Sequence, residues 1–188
     1  MARAAKVAYL VSNGNKNTTR NKIQVRWLNP PSNWFKLNLD DSSRDTPGLA
    51  GGGGLIRNEK GEWVKGYARA IGIMTSVAAE LWALRDDIRL CIAFKLPVVE
   101  IVLDAKVVID LVRKESSNFN SLDMPVDDCK KGLKQIPNIK IMHYFREGNK
   151  CADNLARRGP LPDVELLIRL DTVSTLYDRF VSSSIEAF

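Results

Sequence analysis

The chain has 188 residues, 45% of them hydrophobic and 27% charged, which suits one domain with a sizeable core plus tails and argues against a disordered or low-complexity protein. Its three cysteines, Cys91, Cys129 and Cys151, are odd in number and form no CxxC pair. They suggest neither a disulfide framework nor a zinc site, and point to a reducing, intracellular compartment, nucleus or cytoplasm. No apolar stretch approaches the length of a membrane span, so a soluble protein is expected.

Charge is placed unevenly. Arg3, Lys6, Lys16, Arg20, Lys22 and Arg26 stand in residues 1–26 without a single acid, and they account for the whole net charge of +6. Such an Asn-rich, weakly patterned arm reads as flexible, either a partner for phosphate backbone or a solvated leader. The paired prolines of WLNPPSN mark a linker, so residues 1–33 read as arm and linker and the domain is expected to start near Trp34.

In WFKLNLD, Phe35, Leu37 and Leu39 alternate with Lys36, Asn38 and Asp40, the period of a half-buried strand. A Pro-Gly turn is expected over Thr46 to Gly48, then a hairpin of Gly51 to Arg57 and Glu62 to Arg69 around Asn58 to Gly61. Val77, Leu81, Leu84, Ile88 and Ile92 recur at helical spacing, with Thr75 or Ser76 as cap and Glu80 bordering the stripe. VVEIVL fits a buried strand, followed at once by the helix AKVVIDLVRK. Pro125 suits the first turn of a helix reaching about Gln135. A last strand is expected over Ile139 to Phe145, and a short helix from Lys150 to Arg158 closes a domain of residues 34–159. The order βββαβαβα predicts an α/β fold with a mixed five-stranded sheet, three antiparallel strands then parallel ones, and helices on both faces. Residues 160–188 read as a docking helix or a tail.

Four carboxylates fall at element ends in this scheme: Asp40, Glu80, Asp104 and Asp153. Singly, each is a solvated acid or a cap. Together, acids at strand ends and in first helical turns can converge on a shared metal, and the strand-to-helix junction at Asp104 is where open sheets place ligands.

Five fragments then carry a resemblance: WLNPPSNWFKLNLDDSS, TPGLAGGGGLIRNEKGEW, AAELWAL, VLDAKVVIDLV and HYFREGNKCADNLARRG. In this order the chain, from about Trp27 to Gly159, resembles the ribonuclease H domain of the plant, reverse-transcriptase-like type found in retroelement-derived proteins. The resemblance implies a ribonuclease H-like fold and Mg²⁺-dependent endonucleolytic cleavage of RNA in RNA:DNA hybrids by a monomer. It implies two Mg²⁺ ions, for which Mn²⁺ can substitute, on Asp40, Glu80, Asp104 and Asp153. Asp40 and Asp104 would be the core ligands, Glu80 would serve the nucleophile's side and touch a 2′-OH, and Asp153 would complete the second position. The auxiliary role of a basic residue in the loop after the last strand falls to Arg146, in preference to His143, the chain's sole histidine. Ser42, Asn149 and the basic run Lys130, Lys131 and Lys134 are the expected contacts to nucleic acid.

Two departures from the family pattern stand out. Asp41 replaces the usual glycine after the first acid, adding a charge beside the path of a phosphate backbone and so weakening substrate engagement. A long basic protrusion is also missing, since Glu115 to Leu122 is short and carries no basic residue. A non-catalytic nucleic-acid-binding domain derived from a retroelement is therefore the competing reading. An exonuclease or transposase on the same fold is a third, disfavoured by the glycine-rich hairpin and the ADNLA helix. One histidine and no nucleophile elbow leave nothing to build a serine triad on.

Overall fold

A computed structural model describes residues 5–10, 20–25, 27–43, 47–114 and 122–159, the first two segments by backbone alone. The expected docking helix in residues 160–188 and most of the Glu115 to Leu122 segment lie outside the described residues. Within the stretch expected as a flexible arm, β1 (Ala5–Leu10) and β2 (Arg20–Val25) pair antiparallel, with Ala5 opposite Val25.

The main sheet comprises β3 (Phe35–Ser43), β4 (Gly48–Arg57), β5 (Trp63–Met74), β6 (Val98–Leu103) and β7 (Asn138–His143). Its order is β5-β4-β3-β6-β7, antiparallel through β3, β4 and β5, with β6 parallel to β3 and β7 parallel to β6. The helices are α1 (Ser76–Ala93), α2 (Lys106–Arg113), α3 (Asp123–Leu133) and α4 (Lys150–Arg158). The expected mixed sheet and helix-covered faces are thus realised, while the order from β3 onward is βββαβααβα, with two helices, α2 and α3, between β6 and β7.

The hairpin is longer than its periodicity suggested. Gly48, expected in a turn, already pairs with Met74, and Leu49 pairs with Ile73 beyond a register shift at Ala50 and Gly51. At the other end Asn58 shapes the turn, its side-chain oxygen accepting from the Lys60 and Glu62 amides while Gly61 takes φ +81°. Thr75 caps α1 by accepting from the Ala78 amide.

The two faces of the sheet are covered by different helices, and the glycine-rich strand β4 records how closely. A Cβ on Gly53 would lie 2.3 Å from the Ala156 backbone nitrogen of α4, whereas one on Gly52 or Gly54 would meet Ala83 or Asp87 of α1. On the α1 face, Leu37 and Leu39 pack with Leu81, Leu84, Ile88, Ile101 and Val126 into the main core. On the α4 face, Leu55, Ala68 and Leu155 form a smaller one.

The polar face of β3 is buried too, which alternation alone did not disclose. Lys36, Asn38 and Asp40 are at most 5% exposed. Residues expected as linker cover part of it: the Trp27 indole donates to Asn38 Oδ1 (2.9 Å), and Lys36 Nζ donates to the Leu28 carbonyl (2.8 Å) and pairs with Glu100 (3.0 Å). Arg57 lies over the rings of Trp27 and Trp63, 4.6 and 5.6 Å from their centroids.

Candidate active site

Strand polarity sets the first carboxylates. Asp40 is opposite Gly53 and so on the α4 face, and Asp41 is opposite Gly52 and on the α1 face. Successive side chains of a strand leave opposite faces, so the end of β3 sends one acid toward each helix layer.

Glu80 projects from the second turn of α1 to meet them, and Asp40, Asp41 and Glu80 each bring a carboxylate oxygen within 4.8 Å of the other two. Glu80 is 1% exposed and neither of its oxygens has a hydrogen-bond donor; Asp40, also 1% exposed, has one such orphan, Oδ2. Carboxyl groups buried with so few donors are costly as anions and must either hold protons or bind a cation, so this arrangement fits a cation that would take the protons' place. The donor set, all carboxylate oxygen, suits a hard divalent ion.

Burial pushes the Asp40 carboxyl up to about 8, reinforced by the charges of Asp104 and Asp153 and opposed by Arg146. Burial likewise raises Glu80, with the facing Asp41 adding to the effect. Asp41 is raised by burial as well, although hydrogen bonds from the Glu80 carboxyl and the Ser76 hydroxyl oppose the rise.

Asp104 follows β6 directly, in register beside β3, and is half-buried. Its carboxyl is raised by burial, with Arg146 opposing. Asp153 lies in the first turn of α4, where both oxygens are taken: Arg146 donates to Oδ1 and Arg157 to Oδ2, each at 2.9 Å. Of the four predicted acids the structure brings Asp40 and Glu80 within 4.8 Å of each other, together with Asp41, and places Asp104 and Asp153 near enough for their charges to raise the Asp40 carboxyl. His143, at the end of β7, is exposed and places Nε2 2.9 Å from the Asp104 carbonyl oxygen.

The expected nucleic-acid contacts divide. Lys131 and Lys134 are exposed at the end of α3 and Lys130 is half-buried there. Asn149 is 3% exposed, accepts from Asn38 Nδ2 (3.0 Å) and donates to the Leu39 carbonyl, tying the start of α4 to β3. Ser42 similarly donates to the Ala156 carbonyl of α4 (2.7 Å). Sequence reasoning missed Asn38 and the inward course of Asp41. The alternation running Lys36, Asn38, Asp40 was the available signal for the first, and the same period carried one residue further was the signal for the second.

The raised acids make metal-free stability fall with pH. A carboxyl near 3.9 in the unfolded chain and near 8 at Asp40 in the fold means the folded state binds the proton more tightly. Its contribution is fully present below the unfolded value and is lost as pH rises through about 8. Thermal unfolding of the metal-free protein should show Tm dropping between pH 5 and pH 9, and the drop should be smaller in Asp40→Asn, which has no proton to lose. Equal pH profiles for the two proteins would contradict the burial of Asp40.

Comparison with known proteins gives three kinds of likeness. A family described as reverse transcriptase-like matches residues 38–159. A protein of Arabidopsis thaliana named for ribonuclease H is 33% identical over 132 residues, 70% of this chain and 21% of the relative, so the chain spans about a fifth of that relative's length. Among solved structures, RNase H1 from the halophilic archaeon Halobacterium salinarum NRC-1 is 25% identical with a TM-score of 0.63, over 67% of this chain and 96% of that one. LC11-RNase H1, isolated from compost and solved with an RNA/DNA hybrid, shares the fold at 24% identity and a TM-score of 0.60, over 66% of this chain and 95% of that one.

Proposed function

The chain belongs to the reverse transcriptase-like family of ribonuclease H domains, and from that premise we propose that it is a Mg²⁺-dependent endonuclease that hydrolyses the RNA strand of RNA:DNA hybrids. The observation that carries the reading is Glu80, a buried carboxylate whose two oxygens lack donors and which faces two further carboxylates. When bound, two Mg²⁺ ions supply a nucleophile from water at neutral pH and stabilise the leaving 3′-oxygen.

The chain's own residues position the rest. Asp40 and Asp104 hold the centre of the site from adjacent strand ends, Glu80 serves one side and Asp153 the other. Arg146, in the loop after β7, is the auxiliary cation. It is more than half exposed, so its guanidinium can leave Asp153 and follow a phosphate as the substrate enters. Lys131 and Lys134 offer exposed positive charge to a backbone, and RNA is told from DNA by its 2′-OH groups. We expect the chain to act as a monomer.

The test is a labelled RNA:DNA hybrid incubated with the purified chain with and without Mg²⁺, alongside RNA:RNA and DNA:DNA duplexes. Cleavage confined to the RNA strand of the hybrid and dependent on Mg²⁺ is the expected result. Hybrid binding without cleavage at any Mg²⁺ concentration would favour the non-catalytic reading instead.

A further inference from the structure

Asp41 stands where the family has glycine, and its charge was expected to act mainly by repelling phosphate. Its position says otherwise. The side chain leaves β3 on the face that carries Leu37 and Leu39 toward α1, and α1 is the helix that bears Glu80. Asp41 thus meets Glu80 directly, with an oxygen of each, and one of Asp40, within a span of 4.8 Å. The Ser76 hydroxyl donates to Asp41, and the Glu80 carboxyl, 1% exposed, is hydrogen-bonded to Asp41 while neither of its own oxygens receives a donor. Two carboxyl groups held face to face in a buried site call for positive charge between them, a shared proton in the metal-free protein and a cation in its place when one binds.

We propose that Asp41 is a third carboxylate ligand of the cation held by Asp40 and Glu80, an assignment that rests on the metal-dependent reading of this site. A glycine at that position would leave the same cation two carboxylates. Affinity for hard divalent ions rises with the number of anionic ligands, because each added charge at this range attracts the cation in a poorly screened setting. The consequence is a cation that resides on this side of the site before any hybrid arrives. The opposite side differs, since both oxygens of Asp153 are engaged by Arg146 and Arg157 in the same structure.

The test is Mn²⁺ binding by the full, metal-free chain in the absence of nucleic acid, followed by the loss of the free-ion signal in electron paramagnetic resonance and by calorimetry. Wild type, Asp40→Asn, Asp41→Asn, Asp41→Gly and the exposed control Asp110→Asn are compared, with circular dichroism to establish folding. Asp41→Asn keeps the side-chain shape and Asp41→Gly removes it, so either folded variant carries the test. The expected result is Mn²⁺ uptake by wild type and the control, weakened about tenfold or more in both Asp41 variants. If wild type binds and Asp40→Asn weakens binding while the Asp41 variants match wild type, Asp41 is not a ligand and the metal-dependent reading stands. If wild type takes up no Mn²⁺, both fall.

Discussion

Asp104→Asn is expected to lower hybrid cleavage by at least about a hundredfold while the protein stays folded. The residue follows β6 at the point where that strand runs parallel to β3, which brings its carboxylate to the group around Asp40. Its backbone work is separate from its side chain: the Asp104 carbonyl accepts from the Lys106 amide (3.1 Å) and lies 2.9 Å from His143 Nε2. Asparagine keeps those contacts and the shape but removes one negative charge from the proposed metal site. Turnover should therefore collapse, whereas Tm without metal should hold or rise, since a partly buried like charge has been taken out of a crowded anionic group. Near-normal turnover at saturating Mg²⁺ would falsify the placement of Asp104 in the metal site.

Gly53→Ala is expected to cost about 3 kcal/mol of folding stability, a fall in Tm of roughly 10 °C. The new methyl would lie 2.3 Å from the Ala156 nitrogen and 2.7 Å from the Leu155 carbonyl carbon, both backbone atoms of a helix that cannot rotate aside. Relief requires α4 to lift from the sheet. That motion would also loosen Asp153 and the Asn149 bridge to Asn38, so residual folded protein should bind Mg²⁺ less well. Gly72→Ala provides the contrast. Gly72 has φ +110° but nothing within 4 Å of its missing Cβ, so any effect there comes from backbone strain and not from a clash. Thermal melts of the two variants separate close approach from conformational freedom, and an unperturbed Gly53→Ala would mean that α4 does not pack as tightly as described.

The sequence by itself determined the fold class and most of the elements of the main domain. Hydrophobic period located β3, β6, α1 and α4, because alternation and helical spacing are imposed on each segment by the single face it must bury. Three of the four acids were singled out for a related reason: Asp40 lies where the alternation of β3 stops, Asp104 at a strand-to-helix junction and Asp153 in a first helical turn, whereas Glu80 borders an apolar stripe in the second turn of α1.

Only the tertiary structure decided what those acids face. That Lys36, Asn38 and Asp40 are buried could not be read from β3, since its polar face is covered by residues around Trp27 that read as linker and by α4, which is distant in sequence. Sequence separation likewise hid the bridge that the Asn149 amide makes to β3 across 111 positions. Asp41 is the sharpest case. Local reasoning saw a charge added beside a phosphate path, but the register of β3 on β4 turns it toward α1, where Glu80 waits without a donor. Period and end position are properties of a segment; the partner across a face is fixed only when sheet register and helix docking are fixed, and electrostatic meaning depends on that partner.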